Sequence, residues 1–384
     1  MAVNEIALIS RIRKLFPVAG KSLYLNHAAV SPYSTRVAKE MKNFIRARTF
    51  SDNVDLYPSL MEKVEAARLQ IAQLIGAPPD LVALVKNTSE GLNILAESLP
   101  LKAGDRVLLF EREFPANIYP FLNLKRRGIE IDFAREKGNC FTIEEVERAL
   151  TPRTRLLSVS HVEFLTGFRH DLAAMGRLLR ERGIVFCVDA IQSAGAVPIN
   201  VEKMHIDFIS CGGQKWLMGP MGTGFIYMSA PLLEGLDPVF AGWLAVENSW
   251  DFFGYQLKWL PSARRYEGGT QNFIGALGLL RSVELLNSVG EELREKRILE
   301  NTGRLISGLK ERGIEVITPE ELHRRAGIVT FRVEKPEHIF QELTKHKVYI
   351  ALREGLLRVS PHFYNTLEEM DRFIESLDCC LASL

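Results

Sequence analysis

An acid, an amide and a lysine follow two apolar runs near the middle of the chain. Residues 184–188 form a short continuous apolar run, typical of a strand buried on both faces of a parallel sheet, and Asp189 follows it directly. A second apolar run, residues 206–209, comes shortly before Lys215. Ligands in open α/β sheets bind beyond the carboxyl ends of the strands, so we expect Asp189, Gln192 and Lys215 to converge on one crevice.

These groups suit the chemistry of pyridoxal phosphate. A lysine amine in a dry pocket has a lowered pKa and can form a Schiff base with an aldehyde, which is the role we predict for Lys215. A carboxylate that faces the pyridine nitrogen keeps this nitrogen protonated and makes the ring an electron sink, which is the role we predict for Asp189. The simpler alternative is that Asp189 caps a helix and Lys215 is a solvated loop residue, since most charged side chains are exposed.

The surrounding sequence favours the cofactor interpretation. The segments Val188–Gln192 and Gly213–Leu217 resemble the cofactor motifs of the class V aminotransferase and cysteine desulfurase superfamily, which are fold type I pyridoxal phosphate enzymes. The resemblance extends from about residue 23 to the C-terminus, and several separate motifs occur in the family's order.

The resemblance implies an α/β fold in which a large domain has a mainly parallel seven-stranded sheet and a smaller α/β domain follows. We expect residues 1–20 to be a helical segment that packs on the rest of the molecule. Residues 21–272 are predicted to form the large cofactor-binding domain, and residues 273–384 the small C-terminal domain.

Hydroxyl side chains open a predicted helix after the strand at residues 82–85. Hydroxyl groups cap the free N–H groups of a helix, and the same end binds phosphate. In the resembled family this position holds the cofactor phosphate, which assigns that role to Thr88 and Ser89. Capping alone is the simpler alternative.

Four more residues are assigned to the cofactor by the resemblance. Phe114 matches a ring that stacks on the pyridine, although it could be ordinary core. Gln192 would bond the ring hydroxyl oxygen. Gln214 stands where desulfurases usually have histidine. Its amide can bond phosphate but neither gains nor loses a proton near neutral pH, so acid–base catalysis is left to Lys215. Thr270 would reach the partner's phosphate across a homodimer, with a simple glycine-rich turn as the alternative.

Three residues are candidates for substrate binding. An arginine fork binds a carboxylate with two hydrogen bonds, and Arg358 matches the family's substrate-carboxylate arginine. Arg353 is a second candidate, with ordinary surface charge as the alternative. His27 lies in a turn that borders the substrate pocket of the family, where it could contact substrate or serve the structure.

Cofactor motifs do not name the reaction. A desulfurase of the resembled family needs a cysteine on a mobile loop near the substrate, but four residues without cysteine separate Arg353 from Arg358, and Phe164 replaces an asparagine of the desulfurases. Cys379 and Cys380 fall in the predicted last helix. We therefore expect an aminotransferase or a carbon–sulfur lyase that acts on an amino acid of unspecified side chain.

Two other classes of function fit the sequence less well. A dinucleotide-binding dehydrogenase of the NAD type would explain the α/β pattern, but the GxGxxG fingerprint is missing, and we interpret residues 219–224 as a turn into a strand. A non-catalytic protein that binds the cofactor as a scaffold fits less well, because Lys215, Asp189 and Arg358 occur together.

Composition excludes some partners. Lys and Arg number 48 against 47 Asp and Glu, so no basic excess indicates a nucleic acid or an anionic membrane. The five cysteines show no paired metal-binding spacing, which predicts no metal site and a reducing, cytoplasmic setting. No secretion signal or membrane-length apolar run is evident, so we expect a soluble protein.

Overall fold

The computed structural model describes residues 2–50, 57–135 and 141–382. Cys140 lies outside these ranges. The strands are β1 (Leu23–Tyr24), β2 (Val82–Val85), β3 (Arg106–Phe110), β4 (Glu130–Ala134), β5 (Thr154–Ser160), β6 (Val185–Asp189), β7 (Phe208–Gly212), β8 (Gly224–Met228), β9 (Glu315–Val316), β10 (Val329–Arg332), β11 (Val348–Tyr349), β12 (Ala351–Arg353) and β13 (Leu356–Val359).

The described part of the chain also contains twelve α-helices. They are α1 (Ala2–Arg13), α2 (Thr35–Phe50), α3 (Tyr57–Ile75), α4 (Thr88–Ser98), α5 (Tyr119–Leu122), α6 (Ile143–Ala149), α7 (Leu172–Glu181), α8 (Ala230–Gly235), α9 (Phe273–Val289), α10 (Glu291–Lys310), α11 (Pro336–Lys345) and α12 (Leu367–Leu381).

Seven of the described strands form the central sheet, in the order β2-β8-β7-β6-β5-β3-β4. Strand β8 runs antiparallel to both of its neighbours, and the other neighbouring pairs are parallel. Ser160, Asp189 and Ser210 are register partners across β5, β6 and β7, so these strands reach the candidate site at the same level. The predicted α/β fold with a mainly parallel seven-stranded sheet is confirmed.

Helices cover both faces of this sheet. On one face, side chains of α3, α7 and α9 such as Ile71, Met175 and Leu279 join the largest core cluster. On the other face, Leu92 of α4 and Phe121 of α5 pack in a second cluster. The apolar strands at the centre of the sheet are therefore buried on both sides, as their continuous apolar runs predicted.

A smaller sheet, in the order β12-β13-β10-β9, is antiparallel and packs with α10, α11 and α12 around a core of its own. Helix α9, which the predicted boundary at residue 273 placed in this domain, instead packs in the core of the large domain, and the Ser282 hydroxyl donates to the Leu217 carbonyl there. Long helices therefore begin in the sequence at residue 273, but the first of them, α9, still packs with the large domain.

The N-terminal segment packs on the C-terminal part of the chain. The Arg13 guanidinium donates to both carboxylate oxygens of Glu369 at 2.9 and 2.7 Å, and the Phe16 ring stacks on Tyr364 with the ring centres 4.0 Å apart. Strand β1 pairs in parallel with β11. The two ends of the chain are therefore held together.

In the part of the chain that the structure describes, no single helix is long and apolar enough to cross a bilayer. Helices α9 and α10 pass the length and composition test only as a pair, and the chain bends by 85° between them.

Candidate active site

Asp189 is the last residue of β6 and is buried. Its Oδ1 accepts a hydrogen bond from the Ile191 N–H at 2.9 Å, whereas its Oδ2 is buried without a hydrogen-bond partner among the described residues. Burial raises the pKa of this carboxyl to about 6, against the opposing effects of the Ile191 N–H and Lys215. An unpaired buried carboxylate oxygen is costly, so the site favours a ligand that presents a cationic N–H group.

Lys215 lies half-buried in the turn between β7 and β8. Burial lowers the pKa of its amine to about 8, although the charge of Asp189 opposes this shift, and the positive charge of Arg358 lowers the pKa further. The side-chain nitrogen lies 5.6 Å from the centre of the Phe114 ring. An amine with this pKa is partly neutral at physiological pH and therefore nucleophilic.

The start of α4 differs in one detail from the sequence prediction. The cap is Asn87, whose side chain accepts from the Glu90 N–H at 2.9 Å, and Thr88 is already the first helical residue. An N-cap must have an extended backbone, and Asn87 has it with φ −168° and ψ 170°. The first N–H groups of a helix lack partners within it, so those of Thr88 and Ser89 remain suited to an anion.

Helix α4 is fixed closely against β7. The Ser210 hydroxyl donates to the Thr88 carbonyl at 2.9 Å, and the Gly212 N–H donates to the Thr88 hydroxyl at 3.0 Å. A Cβ at Gly91 would lie 2.2 Å from Ser210 Oγ, so a larger residue would push the helix away. A Cβ at Gly212 would lie 2.7 Å from Gln214 Oε1 and 3.4 Å from Thr88 Oγ1, so both of these predicted phosphate ligands border Gly212.

The side-chain amide of Gln192 is fixed by two hydrogen bonds. Its Nε2 donates to the Ala28 carbonyl at 3.1 Å, and its Oε1 accepts from the Trp216 indole N–H at 2.9 Å. Because an amide nitrogen carries two hydrogens, one N–H of Gln192 remains for a ligand. Its predicted bond to the ring hydroxyl stays a prediction.

Phe114 lies in the segment after β3 and is 43 % exposed, so it is not an ordinary core residue. Its ring meets Phe164 edge-on at 5.3 Å between centres. With Lys215 on one side and solvent access on another, the ring is placed where a flat ligand could stack on it.

Arg358 projects from β13 and is buried, with 2 % of its surface exposed. Its Nη1 donates to the Phe164 carbonyl at 2.6 Å, while its Nε has no hydrogen-bond partner in the described part of the chain. Burial and the charge of Arg353 lower its pKa to about 10. Arg353 is exposed and donates to the Leu352 carbonyl at 2.9 Å, so Arg358 is the better placed carboxylate ligand of the two.

His27 does not have the position predicted for a residue that contacts substrate. It is fully buried, its Nδ1 donates to the Ser360 carbonyl at 2.8 Å, and its Nε2 accepts from the Tyr364 hydroxyl at 2.8 Å. Burial lowers its pKa to about 4, so the ring is neutral at physiological pH. With both ring nitrogens occupied, His27 joins the two domains and does not present a group to a substrate.

Thr270 is exposed on the wall of a cavity of about 460 Å³ that also includes Lys86 and Glu90. The segment that carries Thr270 is fixed by the buried carboxylate of Glu267, which accepts from Arg68 Nη2 at 3.0 Å. The predicted role of Thr270 toward a partner's phosphate depends on a second subunit and stays a prediction.

Sequence reasoning assigned no role to a buried polar cluster beside Asp189. Glu113 is held by Ser160, and Glu163 accepts from the His170 ring at 2.9 Å. All four residues are buried. The signal was present, because charged residues directly follow apolar strands there, but nothing in the pattern showed that they meet.

Comparison with known proteins identifies the class. The family model for aminotransferase class V matches residues 23–373. The chain therefore belongs to the class V aminotransferase family, whose members are pyridoxal phosphate enzymes, which confirms the predicted family, enzyme class and cofactor.

Individual relatives span nearly the whole chain. A probable cysteine desulfurase of Methanothermobacter thermautotrophicus is 30 % identical, over 96 % of both chains, and an uncharacterised aminotransferase of Bacillus subtilis is 28 % identical, over 96 % of this chain and 97 % of its own. The apo cysteine desulfurase of Thermococcus onnurineus superposes with a TM-score of 0.90 at 26 % identity, over 98 % of both chains.

The residues of the crevice fit pyridoxal phosphate. The unpaired Oδ2 of Asp189 suits a pyridinium N–H, the start of α4 suits a phosphate, and the amine of Lys215 suits an aldehyde. Among the described residues, no group of His, Cys, Asp and Glu side chains could hold a metal ion.

Proposed function

We propose that the chain acts on an amino acid, with Lys215 as the residue that holds pyridoxal phosphate covalently. The observation that carries this proposal is the pairing of a low-pKa amine at Lys215 with a buried, half-satisfied carboxylate at Asp189. When bound, the cofactor supplies a reactive aldehyde and an electron-withdrawing ring.

The chain's own residues divide the remaining work. Asp189 keeps the pyridine nitrogen protonated, and Phe114 supports the ring from one face. Arg358 binds the substrate carboxylate and so orients the α-carbon. The Lys215 amine would move the α-proton of the substrate, since the neutral amide of Gln214 neither gains nor loses a proton near neutral pH.

We propose an aminotransferase or carbon–sulfur lyase reaction in preference to persulfide formation, although several relatives are named probable cysteine desulfurases. Strands β12 and β13 pair from Arg353 to Leu356, so only Glu354 and Gly355 form the turn between them, with φ 48° and 71°. Such a two-residue hairpin is tight and carries no loop. Of the described cysteines, Cys187 and Cys211 are buried within the central sheet.

A homodimer is part of the proposal, because Thr270 and Gly269 are exposed and free to contact a second subunit. We also propose a reducing, cytoplasmic setting, since the four described cysteines are free thiols. Light scattering of the purified protein should give twice the chain mass, and a monomer that retains full activity would contradict the assignment of Thr270.

The test of the cofactor site begins with the protein and pyridoxal phosphate. We expect yellow protein, covalent labelling of Lys215 after borohydride reduction as located by peptide mass spectrometry, and no labelling in Lys215→Ala. Labelling at another lysine would overturn the proposal. Exposed Lys86 serves as the matched position, because its side chain is 78 % exposed and should remain unlabelled.

Product analysis then separates the reactions. Incubation with alanine and a 2-oxo acid yields a new amino acid if the enzyme is an aminotransferase. Incubation with cysteine yields sulfide, pyruvate and ammonia if it is a lyase. Formation of alanine from cysteine, with sulfur retained on a protein cysteine, would instead establish a desulfurase.

A further inference from the structure

Glu113 connects the segment that carries Phe114 to the end of a central strand. It directly precedes Phe114 and is buried. One of its carboxyl oxygens accepts a hydrogen bond from the Ser160 backbone N–H, and the other accepts one from the Ser160 hydroxyl at 2.6 Å. Both of its oxygens are thus fixed by a single residue.

Ser160 in turn lies next to Asp189, at the ends of two neighbouring strands. It ends β5 as the register partner of Asp189, and the next N–H group, that of His161, donates to the Asp189 carbonyl at 3.0 Å. Glu113 therefore connects two parts of the predicted cofactor site. One is Phe114, which is predicted to stack on the cofactor, and the other is the strand end that carries Asp189, which is predicted to face the pyridine nitrogen.

The surroundings of Glu113 disfavour a negative charge on it. Within the described residues Glu113 forms no ion pair, and two further acids, Glu163 and Asp189, raise its pKa. The buried Cys187 thiol also faces it and is neutral, because burial raises the pKa of that thiol. His170 faces the same cluster, but burial lowers its pKa to about 4 and leaves the ring neutral. Burial, with the charge of Glu163, raises the pKa of Glu113 to about 8, although the Ser160 hydrogen bonds oppose this shift.

We propose that Glu113 is a positioning residue that works in its protonated, neutral form. A proton on Glu113 reverses the hydrogen bond with the Ser160 hydroxyl, so that the Glu113 O–H donates, while the other carboxyl oxygen still accepts from the Ser160 N–H. These two bonds hold the segment that carries Phe114 in place. Because Glu113 is neutral, it adds no repulsion to Asp189, which can then carry the negative charge that the pyridine nitrogen requires. This inference rests on the proposed function for the part that concerns the cofactor.

The first test needs no cofactor. Glu113→Gln keeps both hydrogen bonds without a titrating proton, Glu113→Ala removes them, and Glu111→Gln is the control for loss of a carboxylate in the same segment, since Glu111 is 44 % exposed. A neutral Glu113 keeps a proton that the unfolded chain releases above its ordinary pKa of 4.5, so wild-type stability falls as pH rises toward 8.

Melting curves of the apoprotein should be recorded from pH 5.5 to 8.5. The Tm of Glu113→Gln should increase relative to the Tm of wild type as pH rises, while Glu111→Gln shows no such trend. A difference that stays constant, or that changes in favour of wild type as pH rises, would mean that Glu113 is charged in the folded protein and would overturn the proposal.

The second test uses pyridoxal phosphate and the visible spectrum. Glu113→Gln should retain the affinity for cofactor within about twofold and the same midpoint for the pH titration of the bound cofactor, whereas Glu113→Ala should weaken binding about fivefold or more. Equal losses in both variants, or a shifted midpoint in Glu113→Gln, would contradict a neutral Glu113. Failure of wild type to bind cofactor would refute the proposed function and leave the melting result to decide the state of Glu113.

Discussion

The side-chain nitrogen of Lys215 lies 5.6 Å from the centre of the Phe114 ring, although the two residues are 101 positions apart in the chain. The ring and the amine come from segments after different strands of one sheet. A cofactor that joins this amine is therefore brought to the exposed face of this ring.

Removing the ring should weaken cofactor binding without abolishing it. Aromatic pairs contribute about 1 kcal/mol beyond burial, so Phe114→Ala should raise the Kd of pyridoxal phosphate about fivefold. Fluorescence titration of the apoprotein gives the value. Phe133→Ala, a similarly exposed ring at 40 % on strand β4, is the control, and an equal effect of both substitutions would argue against stacking.

The low pKa of Lys215 has a kinetic consequence. Its amine becomes mostly neutral above about pH 8, whereas an ordinary lysine does so only near 10.5. In apoprotein treated briefly with an amine-reactive reagent, labelling of Lys215, followed by peptide mass spectrometry, should level off near pH 9, while labelling of Nα-acetyl-lysine, added as a free reference amine, continues to rise. Parallel pH profiles for Lys215 and the reference amine would show that the Lys215 amine is not perturbed.

Arg358 and Arg353 should differ in their effect on catalysis. Loss of a charge-assisted hydrogen bond costs about 1.5–3 kcal/mol, so Arg358→Lys should lower kcat/KM by about 10- to 100-fold. Arg353→Lys, at the exposed position, should change it by less than about threefold. Steady-state kinetics with the amino acid found in the product assays decides, and a larger effect at Arg353 would reverse the assignment.

The buried ring of His27 should make the protein sensitive to acid. Its pKa falls from 6.5 to about 4 on folding, so the unfolded chain binds a proton more readily and stability decreases as pH falls from 6.5 to 4. The full effect of this shift is about 3 kcal/mol. Urea unfolding at several pH values should show a shallower acid dependence in His27→Gln, and identical dependences would contradict a buried neutral ring.

The pair of Arg68 and Glu267 offers a test of stability remote from the chemistry. Both side chains are buried, at 1 % and 4 % exposure. Arg68→Met leaves a buried carboxylate without its cation and should cost about 3–5 kcal/mol in urea unfolding. The double variant with Glu267→Gln should recover much of this loss, and an additive loss would mean that the two residues are not coupled.

The strands at the site were predictable because continuous apolar runs mark them. The runs at residues 184–188 and 206–209 fall on β6 and β7 to within one to three residues at each end, and Asp189 and Lys215 meet as strand-end residues should.

What the sequence did not reveal depends on contacts between distant segments. His27 has the residue type of a substrate ligand, and only its bonds to Ser360 and Tyr364, more than 300 positions away, show that it is enclosed. Helix α9 was assigned to the small domain for the same reason, since its partners α2 and α3 lie far earlier in the chain.

The contact of Arg13 and Phe16 with Glu369 and Tyr364 has a consequence for biosynthesis. Helix α1 leaves the ribosome long before α12 has been synthesised, so its docking surface does not yet exist when α1 emerges. Docking of α1 is therefore delayed until α12 is available, although the two are neighbours in the folded protein.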